Sequence, residues 1–299
     1  MKILEMAHGI IWGPWTVGIF LIVGLVLSVR CHFFQILGFK YWWKSTWGSL
    51  WEHGRGHDEK AVNNAGHLGI TQFQSVCTAL AATVGTGNIA GVAAAIVSGG
   101  PGAVFWMWIS ALVGMATAYG ETYLGCRYRF KDNRGKWVCG PFIYMEKGLG
   151  IPFMAVGYSF FCFLCALGMG SMVQANSAAE TLEFTWGIPS ALGSGILALL
   201  TGAVVLGGIK RIGRAAECLL PLASGIYILF SLLVLLLCAD RIPDVFLRIF
   251  QSAFGIRQIS GGIAGFGISK SLRYGISRGV FSNEAGLGTL AVLHGPAEH

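Results

Sequence analysis

Charge is what this sequence has least of. Asp, Glu, Lys and Arg together are 35 of 299 residues, 12% of the chain, against about 25% in soluble domains. A water-soluble body of 32.0 kDa could not cover its surface with so few polar groups, so a soluble globule is excluded. Catalytic side chains are scarce where they would matter. No candidate membrane span contains His except His67 at an edge, and Cys and carboxylates do not converge, which argues against a membrane-embedded enzyme. Cys77, Cys162, Cys165, Cys218 and Cys238 lie in apolar runs, where Cys acts as a small hydrophobe. The Cys162–Cys165 pair has no second pair beside it, so zinc or redox chemistry is not indicated. His53 and His57 fall in a charged, Gly-containing loop and read as solvated. No small-residue processing site follows the first apolar run, so no cleavable leader is expected.

What is present is apolar. Hydrophobic residues are 54% of the chain, mean hydropathy is +0.64, and the 44 glycines are about twice the usual share of roughly 7%. This is the composition of a polytopic membrane protein. A helix needs about 20 largely apolar residues to cross the hydrocarbon. Stretches without Asp, Glu, Lys or Arg run over 6–29, 61–120, 151–179, 184–209 and 218–239. The longest carries Ser98-Gly-Gly-Pro-Gly102 in its middle, a turn signal that divides it into two helices. Spans are therefore expected over 14–30, 70–97, 102–126, 152–178, 187–207 and 216–238. After Ala239 any further crossing must be interrupted.

Basic residues orient these spans. With the N-terminus outside, the loops 30–60, 127–147 and 210–214 fall inside and hold 14 of the 21 basic residues. Lys2, Arg241, Arg248 and Arg257 fall outside. This positive-inside split accounts for the net charge of +7 without nucleic acid.

Two spans carry breaks. The first, Thr83-Val-Gly-Thr-Gly-Asn-Ile-Ala-Gly91, combines glycines with a hydroxyl and an amide mid-run. Gly costs about 1 kcal/mol against Ala inside a helix, so the cluster favours unwinding. Backbone groups freed at membrane depth are tolerated where they line a cavity or hold a ligand. Freed N–H groups suit anionic substrate groups and freed carbonyls suit Na⁺. Gly91 alone reads as helix packing. A dinucleotide fingerprint is excluded, because Gly85, Gly87 and Gly91 are wrongly spaced and lack a βαβ setting. The second break is Phe281-Ser-Asn-Glu-Ala-Gly-Leu-Gly288, where Glu284 adds a costly carboxylate. Upstream, Lys270 and Arg273 share a helix face suited to the outer interface, and Arg278 is placed to meet Glu284 or freed carbonyls. Gln174 either bonds a neighbouring helix or faces a cavity. Glu121 is within reach of Arg127 and Arg129, where a structural ion pair is expected. One localised polar cluster, rather than repeated polar rings, argues against a channel.

The run Gly99-Gly-Pro-Gly-Ala-Val-Phe-Trp-Met-Trp-Ile-Ser-Ala-Leu-Val-Gly114 resembles the signature of the sodium:alanine (alanine/glycine:cation) symporter family. Gly85–Gly91, Tyr144–Gly150, Met172–Asn176 and Arg278–Gly286 are similar to the same family. The resemblance implies Na⁺-coupled symport of alanine or glycine on an all-α, leucine-transporter-like fold of five-plus-five inverted repeats. It also implies that 1–299 is a single transmembrane domain. Residues 14–30 would be an extra N-terminal helix, 70–238 the first repeat of five helices, and 239–299 the start of the second. The substrate carboxylate would meet the N–H groups of Thr86 and Gly87, with Gln174, Phe281 and Asn283 completing the substrate site. Na⁺ would be held by Ala81, Thr83, Val84, Asn88 and Ser282, with Na⁺ as the coupling ion and no organic cofactor. The expected protein is a monomer in the cytoplasmic membrane, multi-pass, and not an enzyme. The family is substantially longer than this chain, which ends just past the second break. It therefore reads as a C-terminally truncated member, the alternatives being a non-transporting fragment or a channel-like protein.

Overall fold

The computed structural model describes residues 11–45, 70–133, 135–255 and 264–297. The expectations for Lys2, His53, Arg55, His57, Lys60, His67, Arg134 and Arg257 lie outside them. The chain order is α1 (Pro14–Arg30), the short α2 (Phe34–Leu37) and α3 (Phe39–Trp43), α4 (Gln72–Thr83), α5 (Ala90–Gly99) and α6 (Gly102–Tyr128). A small hairpin follows, β1 (Phe130–Lys131) and β2 (Trp137–Val138), then α7 (Pro141–Lys147). Next, α8 (Pro152–Cys165) passes through a π-helical stretch, Ala166–Met172, into α9 (Val173–Trp186). The rest is α10 (Ser190–Val205), α11 (Gly208–Leu237), α12 (Ile242–Ala253), α13 (Ala264–Asn283) and α14 (Thr289–His294).

The hydropathy reading and the helices agree closely. Gly102–Tyr128, Pro152–Trp186 and Gly208–Leu237 are each long and apolar enough to cross a bilayer. The α4–α5 pair, bent at its break, passes the same test when its two halves are taken together as one span. The expected turn at Ser98–Gly102 is present, with Gly100 at φ +78° between α5 and α6. Of the other expected spans, α1 has the bounds expected for 14–30, with 17 residues, and α10 comes out shorter than 187–207, with 16. Large apolar side chains on α11 stay exposed along its length, Leu237 to 75%. Such a surface would be costly in water and is free of cost in lipid. The chain is thus an all-α, multi-pass membrane protein.

Two local expectations are corrected. Lys210, Arg211 and Arg214 do not form a loop; they occupy the first two turns of α11. A charge-free stretch marks the hydrocarbon edge, whereas a helix satisfies its own backbone on both sides of that edge. The polar segment after α6 is likewise not plain loop. Phe130 pairs with Val138 and Lys131 with Trp137 in an antiparallel hairpin. Trp137 is flanked by Arg129 and Lys131, at 4.2 and 4.7 Å from its ring centroid.

The described residues form two compact units. Unit one comprises 11–45, 87–121, 225–255 and 264–287, and unit two 70–86, 122–133, 135–224 and 288–297. In unit one, α1, α6 and α13 enclose a core of Val17, Ile276 and Val280, covered by Phe20, Leu21, Trp106 and Leu272. The aromatic signature works here as packing. The Phe105 ring lies 5.5 Å from Phe250 and 5.0 Å from Phe254, and Trp108 lies 6.0 Å from Phe246.

In unit two, α4 starts on a capping box. The Thr71 hydroxyl accepts the Gln74 N–H at 3.1 Å, and Gln74 Oε1 accepts the Thr71 N–H at 3.3 Å. Such a cap is worth about 1 kcal/mol. Gln74 Nε2 also donates to Glu217 at 2.9 Å, tying α4 to α11. Against α4 lies α14, whose last carbonyls have no intrahelical donors. The Ser75 hydroxyl donates to Leu293 O at 3.2 Å, and the Cys139 thiol lies 3.5 Å from Val292 O. Arg129 donates to both Gly295 O and Ala297 O at 2.6 Å. Ile70 N–H takes Pro296 O at 3.3 Å.

Candidate ligand site

The first break is real and short. The α4 helix ends at Thr83, and Val84 leaves helical geometry at φ −88°, ψ 88°. A single 3₁₀ turn, Thr86–Asn88, follows. Ile89, at φ −107° and ψ −73°, leads into α5. The last carbonyls of a helix lack intrahelical partners. Leu80 O is served by the Val84 N–H at 2.7 Å and by the Thr83 hydroxyl at 3.3 Å. Ala81, Thr83 and Val84, the expected carbonyl ligands for Na⁺, all stand at this terminus. Asn88 closes the turn.

Gln174 is brought to this break within unit two. Its Oε1 accepts from the Thr86 N–H at 3.2 Å and from the Thr86 hydroxyl at 3.0 Å. Of the two sequence readings of Gln174, this contact is the first, a hydrogen bond to a neighbouring segment. The residue stands just past the π-helical stretch Ala166–Met172. Such stretches re-aim the side chains that follow and recur at functional sites.

The second break belongs to unit one up to Leu287. The α13 helix stops at Asn283, and Glu284 adopts φ +51°. Gly286 and Gly288 both sit at φ +87°, a region open to glycine and strained for other residues. Glu284 is therefore a strained residue as well as a buried one, with 8% of its surface exposed. Glu121, only 6% exposed, serves this break. Its Oε2 accepts the Gly286 N–H at 2.9 Å. That role was missed in the sequence, where the nearby Arg127 and Arg129 suggested a local ion pair.

Arg278 takes the second of its two expected options, a freed carbonyl. Nε donates to Gly87 O at 3.1 Å, and Nη2 donates to the same oxygen. The guanidinium also lies over the Phe281 ring, 4.6 Å from its centroid. Arg273 donates to Trp12 O at 3.1 Å, ahead of α1, so it fastens the N-terminal helix. The Ser282 hydroxyl is buried and has no hydrogen-bond partner among the described residues. Asn283 lines a small cavity with Phe20, Ser110 and Thr117, about 10 Å³ for the centre of a water-sized sphere. Room for one water is at the lower limit there, and the buried Ser110 hydroxyl likewise has no partner among the described residues. The site residues thus fall into three clusters: Thr86 with Gln174, Gly87 and Phe281 with Arg278, and Asn283 with the α1–α6 cavity.

A family model described as the sodium:alanine symporter family matches residues 1–299. The sodium/alanine symporter AgcS of Methanococcus maripaludis is 39% identical, over 100% of this chain and 63% of its own length. An uncharacterised transporter of Haemophilus influenzae is 38% identical, over 99% and 62% respectively. The probable sodium/glutamine symporter GlnT of Bacillus subtilis is 34% identical, over 96% and 56%. The chain spans about three-fifths of the length of the first two relatives.

Proposed function

The chain belongs to the sodium:alanine symporter family, and from this premise we propose that it forms part of a Na⁺-coupled symporter for a small neutral amino acid. Alanine or glycine is the proposed substrate, by analogy with the relative whose name specifies alanine; another relative is named for glutamine. The proposed architecture is the five-plus-five inverted repeat, with the N-terminus outside a cytoplasmic membrane and the protein a monomer.

The observation that carries this reading is the Gln174 carboxamide on the Thr86 N–H. An amide oxygen stands there in the position proposed for one oxygen of the substrate carboxylate. The unwound turn thus presents an N–H that donates to an oxygen from outside its own segment, which supports the reading. The proposal is that the carboxylate replaces this oxygen and also takes the Gly87 N–H, while the Gln174 amide turns to the substrate. Na⁺, held by the Ala81, Thr83 and Val84 carbonyls with Asn88 and Ser282, lowers the cost of burying that carboxylate. Each ligand then favours the other, as linkage requires. Phe281 covers the substrate and Asn283 completes its pocket.

The test is uptake of labelled alanine into proteoliposomes, with and without an inward Na⁺ gradient. Saturable, Na⁺-dependent uptake is expected. An unsaturable leak would support a channel, and no uptake at all would support a non-transporting fragment. Asn88→Leu removes an oxygen ligand at similar volume and is expected to weaken the Na⁺ dependence by about tenfold or more. Unchanged Na⁺ dependence in that variant removes Asn88 from the ion site.

A further inference from the structure

Arg278 is the least expected group in α13, and its surroundings are built to hold it. Its Nε and Nη2 converge on one acceptor, the Gly87 carbonyl released by the first break. Gly87 and Gly91 are four apart and so lie on one side of the chain as it re-enters helix. A Cβ on Gly91 would overlap the Arg278 guanidinium, and one on Gly87 would come within 2.8 Å of Nη2. The remaining face of the guanidinium is covered by Phe281. Seven residues earlier on α13, the buried Ser271 hydroxyl donates to Gly99 O at the far end of α5. Two side chains two turns apart therefore join α13 to both ends of α5. Gly91, read from sequence as a packing glycine, is one wall of a slot for a cation.

We propose that Arg278 is a positioning residue for the first break: a resident cation that occupies the Gly87 carbonyl, withholds it from the coupling ion, and locks α5 to α13. A carbonyl freed at membrane depth must find a donor or a cation. A tethered guanidinium supplies both permanently, so the unwound turn keeps its shape when substrate and Na⁺ are absent. The Gly87 N–H, on the same residue, is thereby held in place for a ligand. This last step rests on the transport reading above; the slot itself does not.

The test is a double-mutant cycle on Gly91→Ala and Arg278→Ala in the purified chain, read by thermal unfolding in detergent. Both single variants are expected to lower Tm. The double variant is expected to be no less stable than Arg278→Ala alone, because the added methyl enters space that the guanidinium has left. Strict additivity of the two losses overturns the slot. Where Arg278→Ala does not fold, Arg278→Lys replaces it in the cycle, its ammonium lacking the planar fork. The second readout is labelled-alanine uptake in proteoliposomes. Arg278→Ala is expected to raise the half-saturating alanine concentration about tenfold, with a smaller change in maximal rate and partial recovery in Arg278→Lys. An unchanged half-saturating concentration overturns the positioning role. If the wild-type chain itself shows no uptake, the transport reading fails and the thermal cycle alone judges the slot.

Discussion

In unit one α5 packs against α13, and in unit two α4 packs against α14, yet the two joints use different chemistry. The α5–α13 joint is made by few groups. Arg278 takes the Gly87 carbonyl, Ser271 takes the Gly99 carbonyl, and glycine provides the room. The end of α14 is held by many groups, of which only Ser75 lies on α4. Ser75, Cys139, Arg129 and the Ile70 N–H each take one or two of the carbonyls at and beyond the end of α14. The difference follows from which backbone groups are left over. A helix interrupted mid-run releases isolated carbonyls with no water to serve them, and at Gly87 a single charged donor, Arg278, takes the freed oxygen. A helix that ends beside a polar hairpin releases a whole turn of carbonyls, and several weaker donors share them. A joint with few donors should fail sharply when one is removed. A joint with many should loosen gradually.

The sharpest way to break the comparison is Glu121→Ala. This buried carboxylate holds the Gly286 N–H at 2.9 Å in unit one, and its loss leaves that donor without an acceptor. Hydrogen bonds to charged groups are worth about 1.5–3 kcal/mol, so a stability loss of about 2–3 kcal/mol is expected. Thermal unfolding in detergent measures it. Glu121→Gln keeps an acceptor oxygen and should recover at least half of the loss. A loss under 0.5 kcal/mol in the alanine variant, on the order of a neutral surface change, would show that the second break does not depend on this single acceptor.

Next in size is Arg129→Ala in unit two. It removes two hydrogen bonds, to Gly295 O and Ala297 O, and a stack on Trp137. Ser75, Cys139 and Ile70 still hold neighbouring carbonyls. The expected loss is therefore smaller, about 1–2 kcal/mol. Amide hydrogen exchange gives the finer readout. The Ile70 N–H, bonded to Pro296 O, should exchange faster in the variant while amides of α13 stay unchanged. Equal acceleration in α13 would mean that the two joints are not separate.

Much of this was legible beforehand, for definable reasons. Hydropathy located α6, α8–α9 and α11 because lipid imposes one requirement along a whole span. The glycine and polar cluster at 83–91 showed where α4 ends, since helix cost is a local property. Arg278 was narrowed to Glu284 or a freed carbonyl, and the choice of Gly87 O, 191 positions away, was beyond local reading. Glu121 was not placed. Its local neighbours are the basic residues after α6, while its partner Gly286 is 165 positions away. The carbonyls that Arg129 holds were out of reach for the same reason, being 166 and 168 positions away. The hairpin 130–138 was hidden by its charges, which signal exposure but not pairing.

The mildest test concerns Cys139 in the polar connection after α6, and it asks how tightly the many-donor joint is closed. Burial pushes its thiol up from 9.0 to about 11, with Cys126 adding to the shift and Arg129 opposing it. The thiolate is the reactive form. At pH 8 about 0.1% of such a thiol is ionised, against about 10% at the ordinary value. Alkylation of Cys139 by iodoacetamide should therefore run about a hundredfold slower than that of an exposed thiol. The same shift has a sign for stability. As pH rises through 9 the unfolded chain releases this proton while the folded chain keeps it, so the stabilisation is whole below pH 9 and is lost between pH 9 and 11. A Cys139→Ala variant should lack that part of the alkaline decline in Tm. Labelling of Cys139 at the rate of an exposed thiol would mean that the contact with the Val292 carbonyl opens readily, and that the shared joint of unit two is the looser of the two.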